Sequence, residues 1–208
     1  MRSHVQYPLI GMFFILLGVA CKSTDKAAPQ APPAAPEKPL TEEKYSAAFG
    51  LTLDTIMHAY HEMVGSFVMG DVAGVDAQAK IFMGKLDTLH FTDFQRDTIV
   101  FQTAGQQLEG LKTEMAGLQG EKTLGGKRQE LNMVSQDLYD LLRTIRYDRQ
   151  KIYFTECTAA FGEDKPGDWI STSGDTTQSP NPYLGVHPSG SGGVVGNCAQ
   201  IKDSLYSH

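Results

Sequence analysis

Four runs of apolar residues between residues 45 and 150 recur at steps of three and four, the spacing that lines one face of an α-helix. In chain order the runs are Phe49, Leu53, Ile56, Tyr60, Met63 and Phe67; Val72, Val75, Ala79, Phe82, Leu86 and Leu89; Phe94, Phe101, Ala104, Leu108, Leu111, Met115 and Leu118; and Leu131, Val134, Leu138, Leu141 and Ile145. Because a helix with a single apolar face has to bury it against partners, the runs predict an antiparallel, up-down four-helix bundle over residues 41–150. Asp71, between the first two runs, is expected to cap the second helix.

Residues 151–208 have a different composition, with prolines, glycines and serines that mark loops and turns. The stretch from Lys151 to Cys157 is predicted to be a short strand or an extended segment. Trp169, Ile170 and Tyr183 make the whole segment too apolar for a free tail. We therefore expect a mainly α fold, in which an irregular, loop-rich carboxy-terminal segment packs on the bundle as part of the same domain.

The first 20 residues have the features of a bacterial secretion signal. Arg2 precedes an apolar run from Pro8 to Ala20, which is shorter than the about 20 apolar residues that span a membrane. The run ends in a Gly-Val-Ala-Cys stretch at Cys21 that resembles the lipobox of bacterial lipoproteins, although leucine is more usual three residues before the cysteine. In that class of protein the cysteine is acylated. Residues 1–20 are thus predicted to be a signal peptide and Cys21 a lipid anchor; the alternative is an ordinary cleaved signal with an unmodified cysteine.

Residues 21–40 follow the expected anchor and contain five of the ten prolines in the chain. Such a composition cannot form a packed core and favours an extended, disordered chain. We expect a tether that holds the helical domain off a membrane, to which the protein binds through its lipid. This arrangement places the domain in the cell envelope, on the periplasmic side or at the cell surface.

Residues 50–200 resemble a bacterial family catalogued as domain of unknown function 3347. The family has a helix with an Arg…Ser…Tyr pattern, followed by a cysteine, a Trp-Leu-Ser stretch, an Asn-Pro-Tyr-x-Gly stretch and a final cysteine. The residues that carry the resemblance are Arg128, Ser135, Tyr139, Cys157, Ala160, Trp169, Ile170, Ser171, Asn181, Pro182, Tyr183, Leu184, Gly185 and Cys198.

The resemblance implies a role in metal handling. Members of the family are often lipoproteins, or carry the domain beside periplasmic adaptor subunits of copper and heavy-metal efflux pumps. Cysteines and methionines of the family form a set of soft sulfur ligands suited to Cu(I). This chain keeps the cysteines, but Thr158 and Ala159 stand where the family has proline and methionine, and no methionine precedes Cys198. The resemblance suggests copper as a cofactor and an efflux or envelope protein as a partner, but the loss of both methionines argues against copper binding by this chain.

The residues themselves leave three interpretations of Cys157 and Cys198 open. They form a disulfide, or a soft-metal site with His187 as a nitrogen ligand, or remain free thiols. A cysteine pair in an oxidising compartment is more often a disulfide than a metal site, so the disulfide is favoured. A solitary loop histidine such as His187 is more often simply solvated.

The first helix carries a second group of candidate metal ligands, His58, His61 and Met63. The two histidines are three residues apart and therefore neighbours on one helical face, and imidazole with thioether could bind copper. Met63 also belongs to the apolar stripe, however, and a core methionine usually fills space. Packing is accordingly favoured over metal binding for this group.

Composition and motifs exclude several classes of function. The chain has 18 Lys and Arg against 24 Asp and Glu, a formal net charge of −6, which argues against a nucleic-acid partner. A Gly-x-Ser-x-Gly elbow, a phosphate-binding loop and an HExxH motif are absent from the sequence, so we expect no enzyme. The sequence predicts a non-catalytic, lipid-anchored helical domain with an accessory role in copper or heavy-metal handling. The alternative is a disulfide-stapled structural or protein-interaction module without metal.

Overall fold

The computed structural model describes residues 45–177, 179–185 and 198–205. The predicted signal peptide, the anchor Cys21, the tether and His187 lie outside the described residues. All the elements below belong to one compact unit of the chain, Glu42–His208.

The described part of this unit contains four α-helices. They are α1 (Ala47–Met69), α2 (Val72–Leu86), α3 (Thr98–Gly120) and α4 (Leu124–Thr144), with a 3₁₀ turn at Thr92–Phe94 between α2 and α3. A side-chain oxygen accepts a hydrogen bond from a backbone amide in the first turn of every helix. The capping residues are Ser46, Asp71, Asp97 and Thr123. The predicted cap at Asp71 is therefore confirmed, since its carboxylate accepts from the Gly74 amide at 3.0 Å.

The apolar faces of the helices form a shared core. Every residue of the first predicted stripe is buried, and so are the stripes of α2 from Val75 and of α4 from Leu131. The third predicted stripe starts at Phe94, but α3 begins only at Thr98, so the first residue of that stripe lies outside the helix. Phe101 in the first turn of α3 is 39% exposed and does not belong to the core.

The carboxy-terminal segment contains a sheet that the sequence did not predict, although it did predict the first strand as one of two possibilities. The strands are β1 (Ile152–Cys157), β2 (Gly167–Ser171) and β3 (Ala199–Leu205), in the order β2-β1-β3 with antiparallel neighbours. The β1–β3 register shifts between Phe154 and Thr155, which is a bulge in β3 at Lys202.

The sheet packs on the helices mainly through β2 and α4. The Phe154 ring of β1 also stacks on Tyr139 of α4, with centroids 4.5 Å apart. Trp169 and Ile170 of β2 are each 1% exposed, so β2 is part of the core rather than an appendage. Within the described residues, no helix is both long and apolar enough to cross a membrane.

Candidate functional site

A disulfide joins the ends of two strands. Cys157 is the last residue of β1 and is fully buried, and Cys198 immediately precedes β3. Their sulfur atoms are bonded and their Cα atoms are 4.7 Å apart, within the usual disulfide range of about 4.4–6.8 Å. The structure therefore has the disulfide that the sequence favoured for this cysteine pair. Sulfurs bonded to each other are not thiolates, the form that binds metals.

The Asn-Pro-Tyr stretch packs directly against this disulfide. The Asn181 side chain accepts hydrogen bonds from the Tyr183 amide at 2.9 Å and the Leu184 amide at 3.3 Å. Its amide nitrogen also donates to the Cys198 sulfur at 3.4 Å. Asn181 thus closes a tight turn and fixes that turn to the disulfide.

Tyr183 fills the space between the turn and β2. Its ring makes edge-to-face contacts with Trp169 and Phe161, at centroid distances of 6.0 and 5.3 Å. Burial raises the pKa of the Tyr183 hydroxyl well above its ordinary value, so the group stays protonated and donates to the Asp168 carbonyl. Gly167 leaves the room for this ring, because a Cβ there would lie 2.8 Å from Tyr183 Cζ.

Arg128 connects the turn to α4. Its Nε donates to the Pro182 carbonyl at 2.8 Å, and burial lowers the pKa of the guanidinium from its ordinary value. Gly185 ends the turn with φ of 74° in the left-handed region that favours glycine. These contacts join six of the residues that carry the family resemblance, and we call them the motif cluster: Arg128, Trp169, Asn181, Pro182, Tyr183 and Cys198.

A buried polar network lies beside the motif cluster. The Tyr60 hydroxyl shares a 2.8 Å hydrogen bond with Ser135 and accepts from the Ile170 amide at 3.0 Å. The Ser135 hydroxyl lies 2.7 Å from the Leu131 carbonyl and donates to it. Ser135, one of the residues of the family resemblance, is thus held by structural hydrogen bonds to Tyr60 and Leu131.

Sequence reasoning missed the second half of this network, on α4. Asn132 accepts from the Asp168 amide at 2.8 Å, and Gln136 donates to the Asp168 carboxylate at 2.9 Å. The available signal was their spacing of four residues on a helix whose apolar stripe runs alongside. Burial is the main factor that raises the pKa of Asp168; Glu156 also raises it, whereas Gln136 and Lys202 lower it.

The other candidate ligands, on α1, lie in different environments. Met63 is fully buried in the helical core, whereas His58 is exposed and His61 is partly buried. His58 and His61 line a cleft whose other residues come from α1 and from the segments after α4 and β2. In the ranges 45–177, 179–185 and 198–205, no group of three or more His, Cys, Asp and Glu residues is placed to hold a metal ion.

A larger, open groove lies near the start of α3. It has a volume of about 940 Å³ and is lined by Phe91, Phe101, Leu108 and neighbouring polar residues. Phe101, the residue that departs from the predicted core, therefore contributes an exposed aromatic surface to this groove.

Comparison with protein-family models, with curated proteins and with solved structures finds no match to this chain.

Proposed function

We propose that the chain is a non-catalytic lipoprotein of the bacterial cell envelope, whose folded domain acts as a disulfide-stapled structural or protein-interaction module. The observation that carries this proposal is the bonded pair Cys157 and Cys198. A structural disulfide is typical of an oxidising compartment, which is also where a lipobox-like signal would direct the chain. The partner under this proposal is another envelope protein, and the membrane is reached through a lipid on Cys21.

We also propose that the four helices form the antiparallel, up-down bundle that their stripes predict. The support is that each helix packs on the next along the chain, α1 on α2, α2 on α3 and α3 on α4. The buried hydrogen bond between Tyr60 and Ser135 joins α1 to α4 and is consistent with a closed bundle. Short connections between consecutive helices favour antiparallel neighbours.

A copper or heavy-metal accessory role is the second candidate. The observation that favours it is the motif cluster, whose residues resemble domain of unknown function 3347 and in which Asn181 donates a hydrogen bond to the Cys198 sulfur. Metal binding by Cys157 and Cys198 requires reduction of the disulfide, since only the thiolates are ligands. This candidate therefore predicts a redox-dependent site.

Expression of the full chain in a Gram-negative host tests the anchoring proposal. We expect the wild-type chain in the membrane fraction, labelled by a fatty-acid analogue, and the Cys21→Ser variant unlabelled and outside that fraction. The Cys157→Ala/Cys198→Ala variant is the matched control and should remain labelled. An unlabelled wild type, or a Cys21→Ser variant that keeps its label, would contradict the proposal.

Copper titration of the reduced chain, together with a thiol count on the denatured, oxidised chain, separates the two candidates. The stapled module predicts no reactive thiol from Cys157 and Cys198 after oxidation, and no copper bound by these residues after reduction. Copper that binds to the reduced chain and is lost in Cys198→Ser would overturn the stapled module in favour of the copper accessory.

A further inference from the structure

A polar cleft separates α1 from the segments that follow α4 and β2. Its volume is about 360 Å³, and it lies apart from the disulfide. It is lined by Asp54, His58, His61, Arg149, Gln150 and Thr172. Asp54, His58 and His61 follow one another at steps of four and three, so α1 presents all three on one face.

His61 has an unsatisfied buried nitrogen. Its Nε2 is shielded from solvent and has no hydrogen-bond partner within the described part of the chain. The ring lies edge-to-face against Tyr60 at a centroid distance of 5.5 Å, which fixes its position against the core. Buried polar atoms without a protein partner are rare in folded proteins, and such atoms often bind a water molecule or an ion instead.

The two strong charges in the cleft neutralise each other. The Arg149 guanidinium binds both oxygens of the Asp54 carboxylate, at 2.8 to 3.2 Å. Gly50 permits this arrangement, because a Cβ at that position would lie 3.2 Å from Arg149 Nε. Arg149 therefore brings no unbalanced positive charge to the two imidazoles.

From this geometry we propose that His58 and His61 form a two-imidazole site for a divalent transition-metal ion, with water in the remaining positions. Imidazole suits Cu(II), Ni(II) and Zn(II), and the general order of stability places Cu(II) first. Met63 takes no part, since it is fully buried in the core. The site is independent of Cys157 and Cys198, so it is compatible with the intact disulfide.

Titration of the oxidised full chain in detergent with Cu(II), against a weak competing chelator, tests this proposal. We expect saturable binding of one metal ion at His58 and His61, with a higher affinity for Cu(II) than for Zn(II). His58→Ala should weaken Cu(II) binding about tenfold or more, because loss of a supporting residue alone typically costs that much. His58 is exposed, so its replacement leaves the core intact.

Histidines elsewhere in the chain supply the controls. His90→Ala and His187→Ala should leave the affinity of this site unchanged, and Cu(II) should broaden the ring proton resonances of His58 and His61 before those of His90. Wild-type affinity in both His58→Ala and His61→Gln, or loss of binding in His187→Ala alone, would overturn the proposal. Neither result would affect the proposed lipid anchor or the disulfide.

Discussion

At the scale of single residues, Tyr60 belongs to an apolar stripe and also makes buried hydrogen bonds through its hydroxyl. Its ring occupies a core position on α1, while its hydroxyl bonds to Ser135 of α4 and to the backbone of β2. Burial is the main cause that raises the pKa of Tyr60 to about 12, so the hydroxyl is neutral at physiological pH. A helical period identifies the position as buried, but the partner of the hydroxyl depends on which elements meet there.

Asp168 is the buried acid of the same region. One carboxylate oxygen accepts from Gln136, and the other, Oδ1, is buried without a hydrogen-bond partner in the described part of the chain. Burial raises its pKa above 3.8 in the folded protein. Because the folded state then holds the proton more tightly than the unfolded state, the stabilisation is complete below the unfolded pKa and is lost as pH rises through the folded pKa.

Asp168→Asn should remove this pH dependence. The variant cannot ionise, so its free energy of unfolding should fall less than that of the wild type as pH rises from about 4 towards 7. Urea unfolding at several pH values in this window measures the difference. Asp164→Asn, in an exposed loop, is the matched control and should follow the wild type; identical slopes for Asp168→Asn and wild type would contradict the argument.

At the scale of elements, the burial of the helices follows the period of their sequences, whereas the burial of β2 and β3 does not follow the alternation of a strand. The buried stripes of α1 and α4 match their sequence periods, and the predicted cap at Asp71 is present. In contrast, all residues of β2 are buried, and β3 is mostly exposed. A strand is recognised by alternation between buried and exposed residues, so neither strand carries the usual signal.

The cap of α2 provides the prediction at this scale. Asp71→Ala removes the acceptor for the Gly74 amide and should lower the free energy of unfolding by about 1 kcal/mol. Asp71→Asn keeps a capping oxygen and should retain most of the stability. Chemical denaturation of the three proteins at one pH checks the order, and equal losses for alanine and asparagine would assign the effect to charge instead.

At the scale of the whole molecule, the disulfide closes a long loop of the chain. Cys157 and Cys198 are 41 residues apart, and the chain between them includes β2 and the Asn-Pro-Tyr turn. The sheet places these cysteines side by side, since Cys157 pairs with Ala199. Asn181 and Tyr183 then fix the turn against the disulfide and against β2.

Removal of the disulfide should destabilise the domain by about 4 kcal/mol, because the unfolded chain regains the entropy of the closed loop. The Cys157→Ala/Cys198→Ala variant should therefore unfold at lower denaturant than the oxidised wild type. A reductant should lower the stability of the wild type but have no effect on the variant. Equal stability of reduced and oxidised wild type would show that the disulfide contributes little to folding.

The sequence by itself determined the helical faces, the cap at Asp71 and a preference for pairing Cys157 with Cys198, because these depend on local periodicity, local hydrogen bonding and the chemistry of thiols. It did not determine the sheet, the exposure of Phe101 or the network around Tyr60 and Asp168. Only the tertiary structure decided these, since each depends on groups brought together from distant parts of the chain. The same holds for the cleft at His58 and His61, where Arg149 and Thr172 arrive from segments about 90 or more residues away in sequence and complete a surface that α1 alone cannot form.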